Sequence, residues 1–198
     1  MSGAASAGGT ATDPTNYVLL EECLLYPYSG SVKIYKCPAG TVVNPVSQLP
    51  TCRSYSVNTY MNGYDVGCNH QDDWPSNTIF LVQTKLSLVA SPGPSKRMVF
   101  VDESPDTIDV GNFSVVPTGG GYTVDDWWNC ASARHANACG FSYADGHVAD
   151  ITWSGTQLQA WEKAVKVGNE DGVILSASGD LQDLLTVQNG QAMPNGQN

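Results

Sequence analysis

Hydrophobic and polar positions along this chain alternate with two periods, and the periods predict both helices and strands. Tyr17, Leu20 and Leu24 fall at i, i+3 and i+7, with Leu19 and Cys23 beside them, which predicts a short amphipathic helix. Asp13 is its expected N-cap and Pro14 its first residue, while Pro27 and Gly30 end it. Residues 31–37 alternate as a strand, 55–60 read as another, and 97–102 (RMVFVD) form a continuous apolar run suited to a buried strand. Residues 78–81 and 86–90 are short strand or turn segments, and 107–116 an irregular strand. Two strands, 141–144 and 147–153, flank Asp145-Gly146, a pair suited to a two-residue type I′ hairpin turn. Leu158, Trp161 and Val165 predict a helix over 157–167, and a second short helix spans 181–187 with Asp180 as its cap.

These elements fit one α+β domain over residues 13–188, preceded by a flexible tail at 1–12 and followed by a disordered end at 189–198. No internal repeat or domain-scale linker interrupts them. Charged residues make up only 14% of the chain, while 20 glycines and 11 prolines mark it as loop-rich. A net charge of −10 without any basic cluster excludes a nucleic-acid binder and disfavours adhesion to an anionic membrane.

Six cysteines, Cys23, Cys37, Cys52, Cys68, Cys130 and Cys139, permit three disulfides in fifteen pairings. A Cys37–Cys52 bridge would staple the loop between them. No CxxC pair occurs, and Cys130, His135 and Cys139 offer at most three close ligands, so disulfides are expected ahead of zinc. Disulfides imply an extracytoplasmic setting, although no secretory h-region is present in the sequence.

His135 is the first candidate for chemistry, as a general base or a metal ligand. Ser132, Ser142 and Cys139 lie near it in sequence, but no nucleophile-elbow pattern surrounds any of them, so a structural histidine and no enzyme activity are expected. Asp102, Glu103, Asp106 and Asp109 form the densest carboxylate group; they read first as solvated loop charges and second as a structural calcium site. Trp74, Trp127, Trp128 and Trp153 are expected to anchor loops, with a secreted glycan-binding module as the alternative.

His135, nine intervening residues and Asp145-Gly146 resemble the H-X9-DG motif of prepilin-type proteins related to the major pseudopilin of type II secretion. Residues 24–38 (LLYPYSGSVKIYKCP), 54–64 (SYSVNTYMNGY) and 91–104 (SPGPSKRMVFVDES) resemble further blocks of that family, in its order. The resemblance implies a pilin-like head, with an N-terminal helix remnant packed on an antiparallel sheet and long disulfide-tied loops. His135, Asp145 and Gly146 would hold the hairpin in place, and calcium use in related pseudopilins supports the acidic-loop reading. It also implies a structural subunit in the periplasm or at the cell surface. Its partners would be other pilin or pseudopilin subunits in a homo-oligomeric filament, with membrane contact only through an assembly helix that is not in this sequence.

Overall fold

The computed structural model describes residues 15–44, 47–61, 83, 85–89, 93–105, 107–108, 111–115, 126–164, 173–174 and 178–191. Its helices are α1 (Val18–Glu21), α2 (Tyr26–Ser29), α3 (Gln157–Ala164) and α4 (Ser178–Gln191). Its strands are β1 (Tyr55–Asn58), β2 (Met98–Asp102), β3 (Asn112–Phe113), β4 (Asp126–Trp127), β5 (Ala138–Tyr143), β6 (Val148–Thr152) and β7 (Val173–Ile174). The α+β class is therefore present. The sheet is mixed: five strands run β3-β1-β2-β5-β6, with β1 and β3 parallel and the other pairs antiparallel. A separate antiparallel pair joins β4 and β7.

The run at 97–102 forms β2, second from neither edge but central, with β1 on one side and β5 on the other. Its side chains are buried or half-buried on both faces of the sheet, which suits its continuous apolar character. Edge strand β6 alternates as expected of such a place, with Val148, Asp150 and Thr152 exposed and Ala149 and Ile151 half-buried. Trp153 ends it and sits in the core, edge-on to both Trp127 and Phe141 at 6.1 Å between ring centroids. Its indole N–H donates to the Ser132 carbonyl at 2.8 Å, satisfying the one polar atom of the buried ring. Leu158 from α3 and Leu184 and Val187 from α4 complete the same core.

Helix α4 corrects two expectations. It is longer than 181–187, and it carries residues 189–191 of the supposed disordered end. Gln191 is buried and pairs with a backbone as a neighbouring strand would: the Val115 N–H donates to its Oε1 (2.7 Å) and its Nε2 donates to the Val115 carbonyl (3.0 Å). Asp180 lies inside α4 and caps α3 instead, accepting from the Gln157 N–H at 2.8 Å. Asp183 accepts from the amides of Ser154 and Gly155, so two carboxylates of α4 fasten the entry to α3.

The N-terminal region departs furthest from its pattern. The single helix expected from Tyr17 to Leu24 is two one-turn pieces, and Leu24, 81% exposed, packs on nothing that covers it. Pro27 sits in the first turn of α2, where its missing N–H costs nothing, and Gly30 closes that helix in the left-handed region at φ 61°. Residues Val32–Tyr35 are a 3-10 turn and not a strand; the Ser31 hydroxyl accepts from the Lys33 N–H, and the Tyr35 hydroxyl meets Ser29. Residues Leu86–Leu88 form a second 3-10 turn.

No disulfide exists among the described residues: Cys23, Cys37, Cys52, Cys130 and Cys139 are thiols, and the expected Cys37–Cys52 bridge is not formed. The sheet is held by apolar packing and by buried hydrogen bonds. Asp13 and Pro14, Asn62-Gly63 (a pair whose residue types read as a turn), the 78–81 segment, Cys68 and Trp74 lie outside the described residues.

Candidate functional site

The hairpin after Asp145 is built differently from a type I′ turn. Gly146 has φ 93°, but Asp145 does not have positive φ. The Gly146 N–H donates to the Tyr143 carbonyl and the Tyr143 N–H to the His147 carbonyl, both at 2.9 Å. This is a three-residue loop in which a turn ends in a left-handed glycine. Asp145 accepts from the His147 N–H at 3.1 Å and from its ring Nδ1 at 2.6 Å, and the His147 ring stacks on Tyr143 at 4.3 Å. These hydrogen bonds hold the exposed Asp145 carboxyl below the usual aspartate range. Asp145 thus orders the hairpin tip, with His147 as the partner that sequence reasoning did not single out.

His135 is at the opposite end of β5, in the turn that leads into it. Ala136 (φ 56°) and Asn137 (φ 64°) are both left-handed, a conformation that costs residues with a Cβ and that asparagine tolerates better than alanine. Asn137 is held there by its own hydrogen bonds: its Nδ2 donates to the carbonyls of Trp153 (3.0 Å) and Gly155 (3.2 Å), and its carbonyl accepts the Trp153 N–H (2.8 Å). The turn directs the His135 ring back over the end of β2. There Nε2 lies 3.1 Å from Asp102 Oδ2 and 3.4 Å from Cys37 Sγ.

Asp102 and Cys37 are buried, whereas the His135 side chain is 39% exposed, so the cluster opens to solvent on the histidine side. Burial pushes the Asp102 carboxyl above the usual aspartate range, and the Arg134 guanidinium, 3.5 Å from Oδ1, pulls against that shift. Arg134 also pairs with Glu162 of α3 at 3.1 Å, donates to the Glu103 carbonyl at 2.6 Å and to the Ser54 hydroxyl at 3.3 Å. Gly40 makes room for it, since a Cβ there would stand 2.9 Å from the guanidinium. Tyr55, opposite Asp102 in the β1–β2 register, hydrogen-bonds Cys37. Its phenol is pushed up to about 12 by burial first and then by the nearby Cys37 and Asp102.

Of the four carboxylates grouped at 102–109, Asp106 and Asp109 lie outside the described residues. Asp102 and Glu103 do not share a site. Glu103 accepts from the hydroxyls of Ser56 and Thr107, while Asp102 faces His135 and Arg134. The donors gathered around Asp102 are a thiol and an imidazole, which calcium, an oxygen-seeking cation, does not select. Cys139 is no nucleophile for His135 either: its thiol donates to the Asp102 carbonyl at 3.1 Å, and complete burial pushes its pKa far up.

Trp127 and Trp153 are core residues, 1% and 3% exposed, so neither offers a face to a sugar ring. Trp128 is half-buried. What sequence reading missed is the meeting of its own segments. Residues 24–38 contribute Cys37, 54–64 contribute Tyr55, 91–104 contribute Asp102 and 134–153 contribute His135, all to one place. The signal was present only as four separate blocks, each carrying one polar or sulfur-bearing residue of the cluster. No protein-family model, curated protein or solved structure matches the chain.

Proposed function

We propose that this chain is the head domain of a pilin- or pseudopilin-like structural subunit that acts outside the cytoplasm, in the periplasm or at the cell surface, beside other subunits of its kind. The observation that carries the reading is the apolar surface of the segment ahead of the sheet. Tyr17, Leu24, Tyr28 and Ile34 are 57%, 81%, 90% and 59% exposed. Apolar side chains gathered in one segment at that exposure mark an interaction surface. In the family that the sequence blocks resemble, the corresponding region joins the head to the helix through which subunits assemble. Among the described residues no helix is long and apolar enough to cross a membrane. No enzyme activity is part of this reading, because among the described residues the histidine near both a thiol and a carboxylate, His135, presents the same nitrogen to both. In a nucleophilic triad, each ring nitrogen serves a different partner.

The test is made in the native cell. A photo-crosslinking residue in place of Tyr28 is expected to capture a second copy or a related subunit, and the protein is expected in the periplasmic or sheared surface fraction. Recovery from the cytoplasm alone, without subunit crosslinks, would defeat the proposal.

A further inference from the structure

We propose that Cys37, Asp102 and His135 form a binding site for a zinc-class divalent cation, which clasps three separate segments of the chain together. One ligand atom from each residue, Sγ, a carboxylate oxygen and a ring nitrogen, lies within 4.8 Å of the other two. Two of the pairs are 3.4 Å for Sγ to Nε2 and 3.1 Å for Nε2 to Oδ2. Bond lengths of about 2.3 Å to sulfur and about 2.0 Å to nitrogen and oxygen, at tetrahedral angles, separate such atoms by roughly 3.3–3.6 Å. Two of the three separations are therefore near those of atoms sharing one cation, and the third, from Sγ to the carboxylate oxygen, lies within 4.8 Å.

The chemistry of the donors selects the ion. A thiolate, an imidazole and a carboxylate suit zinc, and the mixed set suits neither calcium nor magnesium. Cys37 would bind as thiolate, its proton passing to solvent. The arrangement also gives a shared role to one feature of the cluster. Nε2 carries one lone pair or one proton, yet it faces both Cys37 and Asp102; a cation seated among the three atoms would serve all of them. His135 is the exposed member, which leaves the outer, fourth position to water. Around the three ligands, Arg134 holds Asp102 from behind and Tyr55 hydrogen-bonds Cys37, the kind of outer support that orients metal ligands. The inference does not depend on filament assembly: a cytoplasmic location would defeat that reading and leave this one standing.

The test uses the purified 198-residue chain, reduced and stripped with a chelator, then titrated with Co²⁺ and afterwards with Zn²⁺. One equivalent of Co²⁺ is expected to give a near-ultraviolet sulfur-to-cobalt charge-transfer band. Zn²⁺ should displace it and raise the melting temperature. Cys37→Ser should abolish the band, and His135→Gln, at the exposed member, should weaken binding by at least about 100-fold, more than loss of an outer-sphere partner does. The double variant Asp145→Asn, His147→Gln removes the other histidine–carboxylate pair, at the hairpin tip, and should leave the band unchanged. A wild-type chain that shows no saturable one-equivalent band overturns the proposal, as does a band that survives unchanged in folded His135→Gln.

Discussion

Replacing Gln191 by alanine tests whether a polar residue near the end of α4 holds the sheet side of the domain. Its side chain satisfies both backbone groups of Val115, which is fully buried. Truncation leaves a buried N–H and a buried carbonyl without these partners, at about 1–3 kcal/mol each, so the expected loss is about 2–6 kcal/mol. For a domain whose total stability is on the order of 5–15 kcal/mol, that is a large fraction. Urea denaturation followed by tryptophan fluorescence should show a lower midpoint with an unchanged slope. Gln191→Met separates hydrogen bonding from packing, because it keeps most of the side-chain volume and loses both polar contacts. Gln191→Glu keeps an acceptor for the Val115 N–H but turns a second oxygen toward the Val115 carbonyl, so it should be no more stable than the alanine variant. A loss below about 1 kcal/mol in Gln191→Ala would refute the reasoning, since it falls under the cost of even one orphaned group. Wild-type stability in Gln191→Met would refute it too.

Two further outcomes are expected. Burial, opposed by the Arg134 charge, holds the Glu162 carboxyl above the ordinary glutamate range. The unfolded chain therefore ionises this group first, and its contribution to stability, full below the unfolded value of about 4.3, is lost as pH rises through the folded value. Glu162→Gln should flatten that fall in a denaturation series across pH, and an unchanged slope would remove Glu162 as its source. Iodoacetamide should alkylate half-buried Cys23 in the native protein and reach Cys139, whose thiol burial keeps protonated, only after denaturation. Mass spectrometry of the labelled peptides reads the difference, and equal labelling rates for the two would contradict the burial argument.

The strands were legible where burial imposes a period. The run at 97–102 and the alternation through 147–153 both became sheet strands because each side chain there faces either core or water. The short strand pattern at 31–37 failed because alternation needs a partner strand to have meaning. Val32–Tyr35 is closed locally by the Ser31 cap and pairs with none of the five strands. The end of α4 was illegible for the opposite reason. Gln188, Gly190 and Gln191 look like a polar tail, yet their buried amides replace contacts that apolar residues supply elsewhere, and Gly190 is needed because a Cβ would stand 2.6 Å from Met98. The cluster at Asp102 was half-legible. His135 and Asp102 were each candidates, but in different sites, and nothing in linear spacing joins Cys37 to a histidine 98 positions later.

The energetics of that cluster bear on what His135 is for. A hairpin that needed only to be held could be packed with apolar side chains, since replacing buried ion networks by well-packed hydrophobic groups is often neutral or stabilising by about 1–4 kcal/mol. The chain instead keeps the Arg134 and Asp102 side chains buried and turns through a left-handed Ala136 at a cost of about 1–2 kcal/mol. Each of these lowers stability, and each helps to bring the His135 ring over Asp102 beside Cys37. A left-handed alanine persists only where its surroundings over-determine it, and here Asn137, Trp153 and Gly155 do so through hydrogen bonds that reach the core. The hairpin tip needs none of this, because Asp145 and His147 order it among themselves. The motif therefore divides into a self-sufficient turn at one end of β5 and, at the other, a strained one whose cost is repaid if a cation joins the three side chains.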